Sequence, residues 1–431
     1  MSYTTFKLSN CKLKLRLNKI VFEKGFVVLS LLLFTDGLIS LLRRGGATKL
    51  DVAEGDLVLQ LLFAVVYVIT SLLITRCWRI AVRAIMKEKL LLAIVGIALA
   101  SAIWSDVPTL TIRRGIAAIG TSLFGVYLAT RYSLKEQLRL LAWTLGIATL
   151  LSLVFALALP SYGVHQADFF AGAWRGIYVH KNALGRMICL SILVFLLLSI
   201  WGEKSRWFAW AGFGLSAIIL LKSTSATPLF SFLSVLVLLP LYSVLQWRHP
   251  LALFIFTMGV TLTASITLLL TISAETILGA YGRDLTFTGR TELWFALIEW
   301  IQKRPWLGYG YSAFWLGKNG EVQNLSNAIG WTPAYAHNGY LQLLLDLGLL
   351  GTGVIVLGFL LSFSRALIWA RSNPTAEGIF PLVYFTFLLP YNVTDSIILQ
   401  QNNIFWVLYV STTISMFVQL KPDKLASEPN H

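Results

Sequence analysis

The stretch Ala334–Gly351, AYAHNGYLQLLLDLGLLG, sets a histidine, His337, at the mouth of a run so apolar that it must enter a membrane. From Gly339 the run stays apolar to about residue 362, long enough for the roughly 20 residues a helix needs to cross a bilayer. An imidazole that titrates near neutral pH therefore stands where water meets lipid.

The same pattern recurs along the chain. Of its 431 residues 57% are hydrophobic and 13% charged, with a mean hydropathy of +0.72. A soluble domain of that balance would expose far too much apolar surface. Continuous apolar runs without strict alternation predict an all-α polytopic membrane protein, not a barrel. About twelve spans are expected, near 25–43, 56–75, 90–104, 115–130, 140–159, 183–201, 207–221, 229–246, 251–273, 339–362, 379–398 and 402–419. The expected division is a basic cytoplasmic tail (1–24), transmembrane helices (25–273), a large outside loop (274–338), further transmembrane helices (339–419) and a cytoplasmic tail (420–431), both termini inside. No cleavable signal is evident, because no small-residue cleavage site follows the first apolar run. Cys11, Cys77 and Cys189 have neither metal-site spacing nor a disulfide pattern.

A net charge of +15 raises nucleic acid as a partner, but its placement gives a simpler account. With the N-terminus inside, the inner segments hold most of the 35 Lys and Arg residues, as the positive-inside rule expects. The remaining outside cations are where function enters.

The long outside segment contains Thr291–Gly310, TELWFALIEWIQKRPWLGYG. Leu293, Trp294, Leu297, Trp300 and Ile301 fall at helical spacing, and Pro305, Gly308 and Gly310 stop the helix. This helix would rest on the membrane surface or pack on the transmembrane bundle. Arg175, Lys181, Arg290 and His337 all fall on the outside. A cationic cluster there suits an anionic, membrane-tethered ligand such as a lipid-linked diphosphate. Arginine offers a fixed fork of donors and lysine a point charge, each charge-assisted bond contributing about 1.5–3 kcal/mol.

Each residue also has a plainer account. Arg175 could snorkel or pair with Asp168, and Arg290 could cap its helix or bridge to Glu292. Lys181 could be an ordinary helix-end lysine, and His337 a hydrogen-bonded interfacial residue. Several common chemistries lack their motifs: no Asp-x-Asp pair, phosphate-binding glycine loop, His-Glu-x-x-His helix or Gly-x-Ser-x-Gly elbow occurs. Asp284 and Glu292 share the loop, but nothing in the sequence positions them as a glycosidase pair.

The motifs resemble those of the bacterial O-antigen ligase and Wzy-type polysaccharide polymerase superfamily. HNGYLQLLLDLGLLGTG (His337–Gly353) matches its signature of His, Asn, nine residues, then Gly348, Gly351 and Gly353. RGIYVHKNALG (Arg175–Gly185) resembles its Arg-containing loop, and TFTGRTELW (Thr286–Trp294) the start of its large periplasmic loop. SAIWSDVPTLTIRRG (Ser101–Gly115) resembles a segment of its exopolysaccharide-polymerase branch.

The resemblance implies a metal-independent, inverting glycosyltransferase of the bacterial inner membrane, needing no cofactor, with its active site facing the periplasm. Its donor would be an undecaprenyl-diphosphate-linked oligosaccharide. Its acceptor would be a glycan, for a polymerase, or lipid A–core, for a ligase; the branch segment favours the polymerase. By motif, His337 would be the general base, and Arg175, Arg290 and Lys181 would bind the diphosphate. Gly348, Gly351 and Gly353 would let the His337 helix pack closely on a neighbour. The rival from another class is a lipid or polysaccharide transporter. Such proteins bury ionisable groups near the midplane, where this sequence offers Asp36, Asp346 and Asp395. Asp346 lies nine residues beyond His337, on roughly the opposite helical face, and is not expected to orient the ring directly.

Overall fold

The computed structural model describes residues 20–44, 57–166, 170–202, 206–244, 290–316 and 321–419, with a few positions between 251 and 262. Most of the expected 251–273 span, residues 1–19 of the N-terminal tail, the C-terminal tail, Asp168, Asp284 and Thr286–Gly289 lie outside the described residues. Apart from one isolated bridge between Val164 and Trp174, regular structure among the described residues is helical. The helices used below are α1 (20–34), α2 (Gly37–Arg44), α3 (Leu57–Ile74), α4 (Trp78–Lys87), α5 (Lys89–Ala100), α6 (Pro108–Arg131), α7 (Leu134–Ala158), α8 (Pro160–Gly163), α9 (Lys181–Trp201), α10 (Arg206–Ser223), α11 (Ala226–Val244), α12 (Arg290–Lys303), α13 (Glu321–Ile329), α14 (Gly339–Ser372), α15 (Ala376–Thr394) and α16 (Ile404–Gln419).

The chain is a helical membrane protein. Four of the described helices are long and apolar enough to cross a bilayer: Leu57–Lys87, Leu134–Ala158, Lys181–Trp201 and Gly339–Ser372. Shorter apolar helices accompany them at Lys89–Ile103, Thr227–Val237 and Ile404–Val418. α9 lies at the centre, packed against α7, α10, α11 and α15, while α6 packs against α16 and α14 against α15.

Two long apolar runs are interrupted. The expected span 25–43 is two helices, because Thr35-Asp36-Gly37 is a turn sequence inside an apolar run. Thr35 Oγ1 donates back to the Leu32 carbonyl (2.6 Å), and Asp36 takes a left-handed backbone (φ 68°). Gly37 then sits against Ile177 and Tyr178, where a Cβ would have no room.

The second break decides how the site is held. α14 runs from Gly339 to Ser372, past the expected end near 362, but is non-helical at Gly348 (φ 62°, ψ −166°). That backbone region is essentially restricted to glycine. The turn Pro305–Gly310 fills the gap. Leu345 and Asp346 carbonyls accept from the N–H groups of Tyr309 (2.7 Å) and Gly310 (3.0 Å). Leu349 and Leu350 N–H groups donate to the carbonyls of Pro305 (2.7 Å) and Trp306 (3.2 Å). Each backbone group left unmade in lipid costs several kcal/mol, so the inserted turn is what makes the break tolerable.

The segment read from sequence as a mark of the polymerase branch clamps the other side of that turn. Arg304 pairs with Asp106 (2.8 Å), and the Trp104 indole donates to the Leu307 carbonyl (3.0 Å). Arg114 Nη1 donates to the Ser312 carbonyl (2.7 Å), and Tyr311 N–H to Ser101 Oγ (2.9 Å). α12 packs on the bundle: Leu293 and Leu297 are fully buried in a cluster with Tyr309, Phe314 and Leu345.

Candidate functional site

His337 immediately precedes the N-cap of α14. Asn338 is that cap, its side chain accepting from the N–H groups of Tyr340 (3.0 Å) and Leu341 (3.2 Å). His337 itself has φ +50°, a left-handed conformation uncommon for a non-glycine residue and costing on the order of 1–3 kcal/mol unless its surroundings impose it. The surroundings do. Both polar groups of Ala336 are tied: its carbonyl accepts from the Trp294 indole (3.0 Å), and its N–H donates to Gln342 Oε1 (3.2 Å). The Tyr335 ring lies over the imidazole at 3.9 Å between centroids, with Trp331 at 6.2 Å.

Burial, with the positive charge of Arg290, pulls the His337 pKa down to about 4; Asp395 opposes this and His180 adds to it. The ring is therefore neutral at pH 7, the form that accepts a proton. Arg290 opens α12 and is only 8% exposed; its Nη1 donates to the Thr394 carbonyl at the end of α15 (3.2 Å).

Arg175 and Lys181 flank a second histidine. Arg175 donates from Nε to the Tyr162 carbonyl (2.9 Å) and from Nη2 to the Ser161 carbonyl (3.3 Å). Lys181 is the buried first residue of α9; its Nζ donates to the Thr224 carbonyl (3.3 Å) and lies 4.5 Å from the Phe170 ring centre. Between them, His180 has its pKa lowered to about 4, by burial and by the charges of His165, Lys181, Arg290 and Arg175. The fields of all three expected cations thus meet on His180, and those of Arg290 and His180 on His337. The sequence-predicted residues come together at one end of the bundle, built from helix starts and ends.

Two sets of residues were missed from sequence. His165 and His180 cap α9: Lys181 N–H donates to His165 Nε2 (3.3 Å) and Asn182 N–H to His180 Nδ1 (3.2 Å). A histidine directly before a polar helix start was the available signal. Arg186 pairs with Asp395 (3.1 Å), each side chain 13–14% exposed. An arginine one turn into an apolar helix could have raised it as a functional candidate, but its partner is 209 residues away.

The expected role of the signature glycines needs correcting. Only Gly348 is demanded by its backbone, where a Cβ would strike the Trp306 carbonyl group. A Cβ on Gly351 would meet Leu347 of its own helix, and one on Gly353 nothing within 4 Å. The spacing marks a helix break, not a close-packing stripe.

Part of the sequence is similar to known proteins. Residues 211–356 match the O-antigen ligase family. That match covers about a third of the chain and makes this region similar to O-antigen ligases. The matched region contains Arg290, His337 and the glycine signature, while Arg175 and Lys181 precede it. The chain is also 28% identical over 284 residues to the exopolysaccharide production protein ExoQ of Rhizobium meliloti (strain 1021), covering 61% of this chain and 62% of that protein. Similarity to the ligase superfamily and to its exopolysaccharide side thus comes from the comparisons as well as from the motifs.

Proposed function

We propose that the protein transfers a glycan from an undecaprenyl-diphosphate donor to an acceptor hydroxyl at the periplasmic face of the bacterial inner membrane. A twelve-span topology with both termini cytoplasmic belongs to the proposal. Its main support is the neutral, strained His337 facing the charge of Arg290 within the ligase-family region.

The acceptor hydroxyl gives its proton to the imidazole as its oxygen attacks the anomeric carbon. The bond from that carbon to the lipid diphosphate breaks on the opposite face, inverting the centre, and the electron pair leaves with the diphosphate. Arg290 stabilises the growing negative charge. Arg175 and Lys181 do so after exchanging their present carbonyl partners for phosphate oxygens. Elongation of an exopolysaccharide is favoured over transfer to lipid A–core by the ExoQ similarity.

The purified chain in detergent, given a lipid-diphosphate oligosaccharide and EDTA, should form ladders of joined repeats. One transfer onto lipid A–core would make it a ligase instead. Inactivity of the wild type toward both acceptors would leave a transporter, and loss of activity on adding EDTA would contradict the metal-free step.

The pKa of His337 sets a second expectation. Its base form is present above about pH 4 and is lost as the pH falls through that value. The free enzyme's kcat/KM should therefore be flat from about pH 5 to 7 and drop below it. Bound diphosphate neutralises Arg290, so the acid limb of kcat should lie at higher pH than that of kcat/KM. An acid limb of kcat/KM near pH 6.5 would contradict the depressed pKa.

A further inference from the structure

Asp346 is not expected to orient the His337 ring directly, yet two hydrogen bonds join it to the neighbour of His337 by another route. Gln342, one turn before Asp346 on α14, donates from Nε2 to Asp346 Oδ1 (2.9 Å). Asp346 Oδ1 accepts from this Nε2, so the carboxyl group holds the amide with its NH₂ group inward. The Gln342 oxygen then faces the other way, accepting from Ala336 N–H (3.2 Å) and from the Trp315 indole (2.9 Å). Asp346 is itself held by the inserted turn, its carbonyl accepting from Gly310 N–H.

We infer that Gln342 and Asp346 are positioning residues that aim the His337 imidazole, with His337 taken as the base proposed above. Ala336 is tied on one side by Trp294 and on the other by Gln342, and Asn338 is fixed as a cap. Removing the Gln342 tie frees the backbone that imposes the left-handed conformation at His337. Neither Gln342 nor Asp346 touches substrate in this account. They set where the ring points, so they act on the chemical step and leave donor binding alone.

The test uses the full chain in lipid nanodiscs with the lipid-diphosphate oligosaccharide. Gln342→Leu should lower kcat by about 10²-fold, the scale of a misplaced catalytic group, with the donor KM and thermal midpoint near those of wild type. Asp346→Leu should give a similar loss, and the double variant should be no worse than the worse single one. Asp346→Asn should recover most of the activity, because its amide oxygen still accepts from Gln342. Should Asp346→Leu fail to fold, the Gln342→Leu and Asp346→Asn pair still decides the matter. Wild-type kcat in Gln342→Leu, beside an inactive His337→Ala, overturns the positioning role alone. An active His337→Ala overturns the assignment of the base, and the positioning role with it.

Discussion

His337→Ala is expected to reduce kcat by about 10²–10⁴-fold, the usual contribution of a positioned general base, with little change in donor affinity. The reason is a division of labour at the site. The cations Arg175, Lys181 and Arg290 arrive from the 163–180 loop, the start of α9 and the start of α12, and none depends on the imidazole for its position. Removing the ring takes away the proton acceptor but leaves the left-handed backbone in place, because the ties that impose it run through Ala336 and Asn338. The variant should therefore keep the fold, with a modest loss of stability from the ring contacts to Tyr335 and Trp331, while nearly inactive. Single-turnover kinetics with labelled donor, alongside a binding titration, separate the two effects. Equal loss of donor binding and turnover would show that His337 holds the diphosphate and does not move the proton.

Gly348→Ala should have the largest effect on folding. The residue sits at φ 62°, ψ −166°, where a side chain costs on the order of 1–3 kcal/mol. The added methyl also strikes the Trp306 carbonyl group, and overpacking of that kind costs about 1–3 kcal/mol more. Moving the turn away to relieve the clash would break rungs at Leu345, Asp346, Leu349 and Leu350 together. Against a net stability of roughly 5–15 kcal/mol, that is a large fraction. Gly353→Ala, at an exposed helical position with nothing within 4 Å of a Cβ, is the control and should be neutral or slightly stabilising. Thermal midpoints and the monodisperse fraction in detergent compare the two. Equal midpoints for both variants would remove the special role given to Gly348.

The sequence was informative where side chains carry the information. Apolar runs marked helices, Pro305 and its glycines marked the end of α12, and charge type picked out Arg175, Lys181, Arg290 and His337. The rest was hidden for physical reasons. Rungs between the 305–310 turn and α14 join backbone atoms, which every residue possesses, so no side chain announces them. The same signature glycines fit a packing stripe and a helix break equally well until φ is known. Asp395 read as an isolated charge in a span and Arg186 was passed over, because only the fold makes them a pair. Thr35-Asp36-Gly37 is different: its turn chemistry was visible, but the surrounding hydrophobicity outweighed it.

The broken helix also bears on how the protein is made. Chain order delivers the clamp at 101–114 first, then the 304–313 turn, and the two halves of α14 last. Neither half satisfies its own backbone around Gly348, so the break is complete only once the turn has seated. The helix behind the histidine thus gains its full set of backbone partners only when segments some two hundred residues apart in the chain have met.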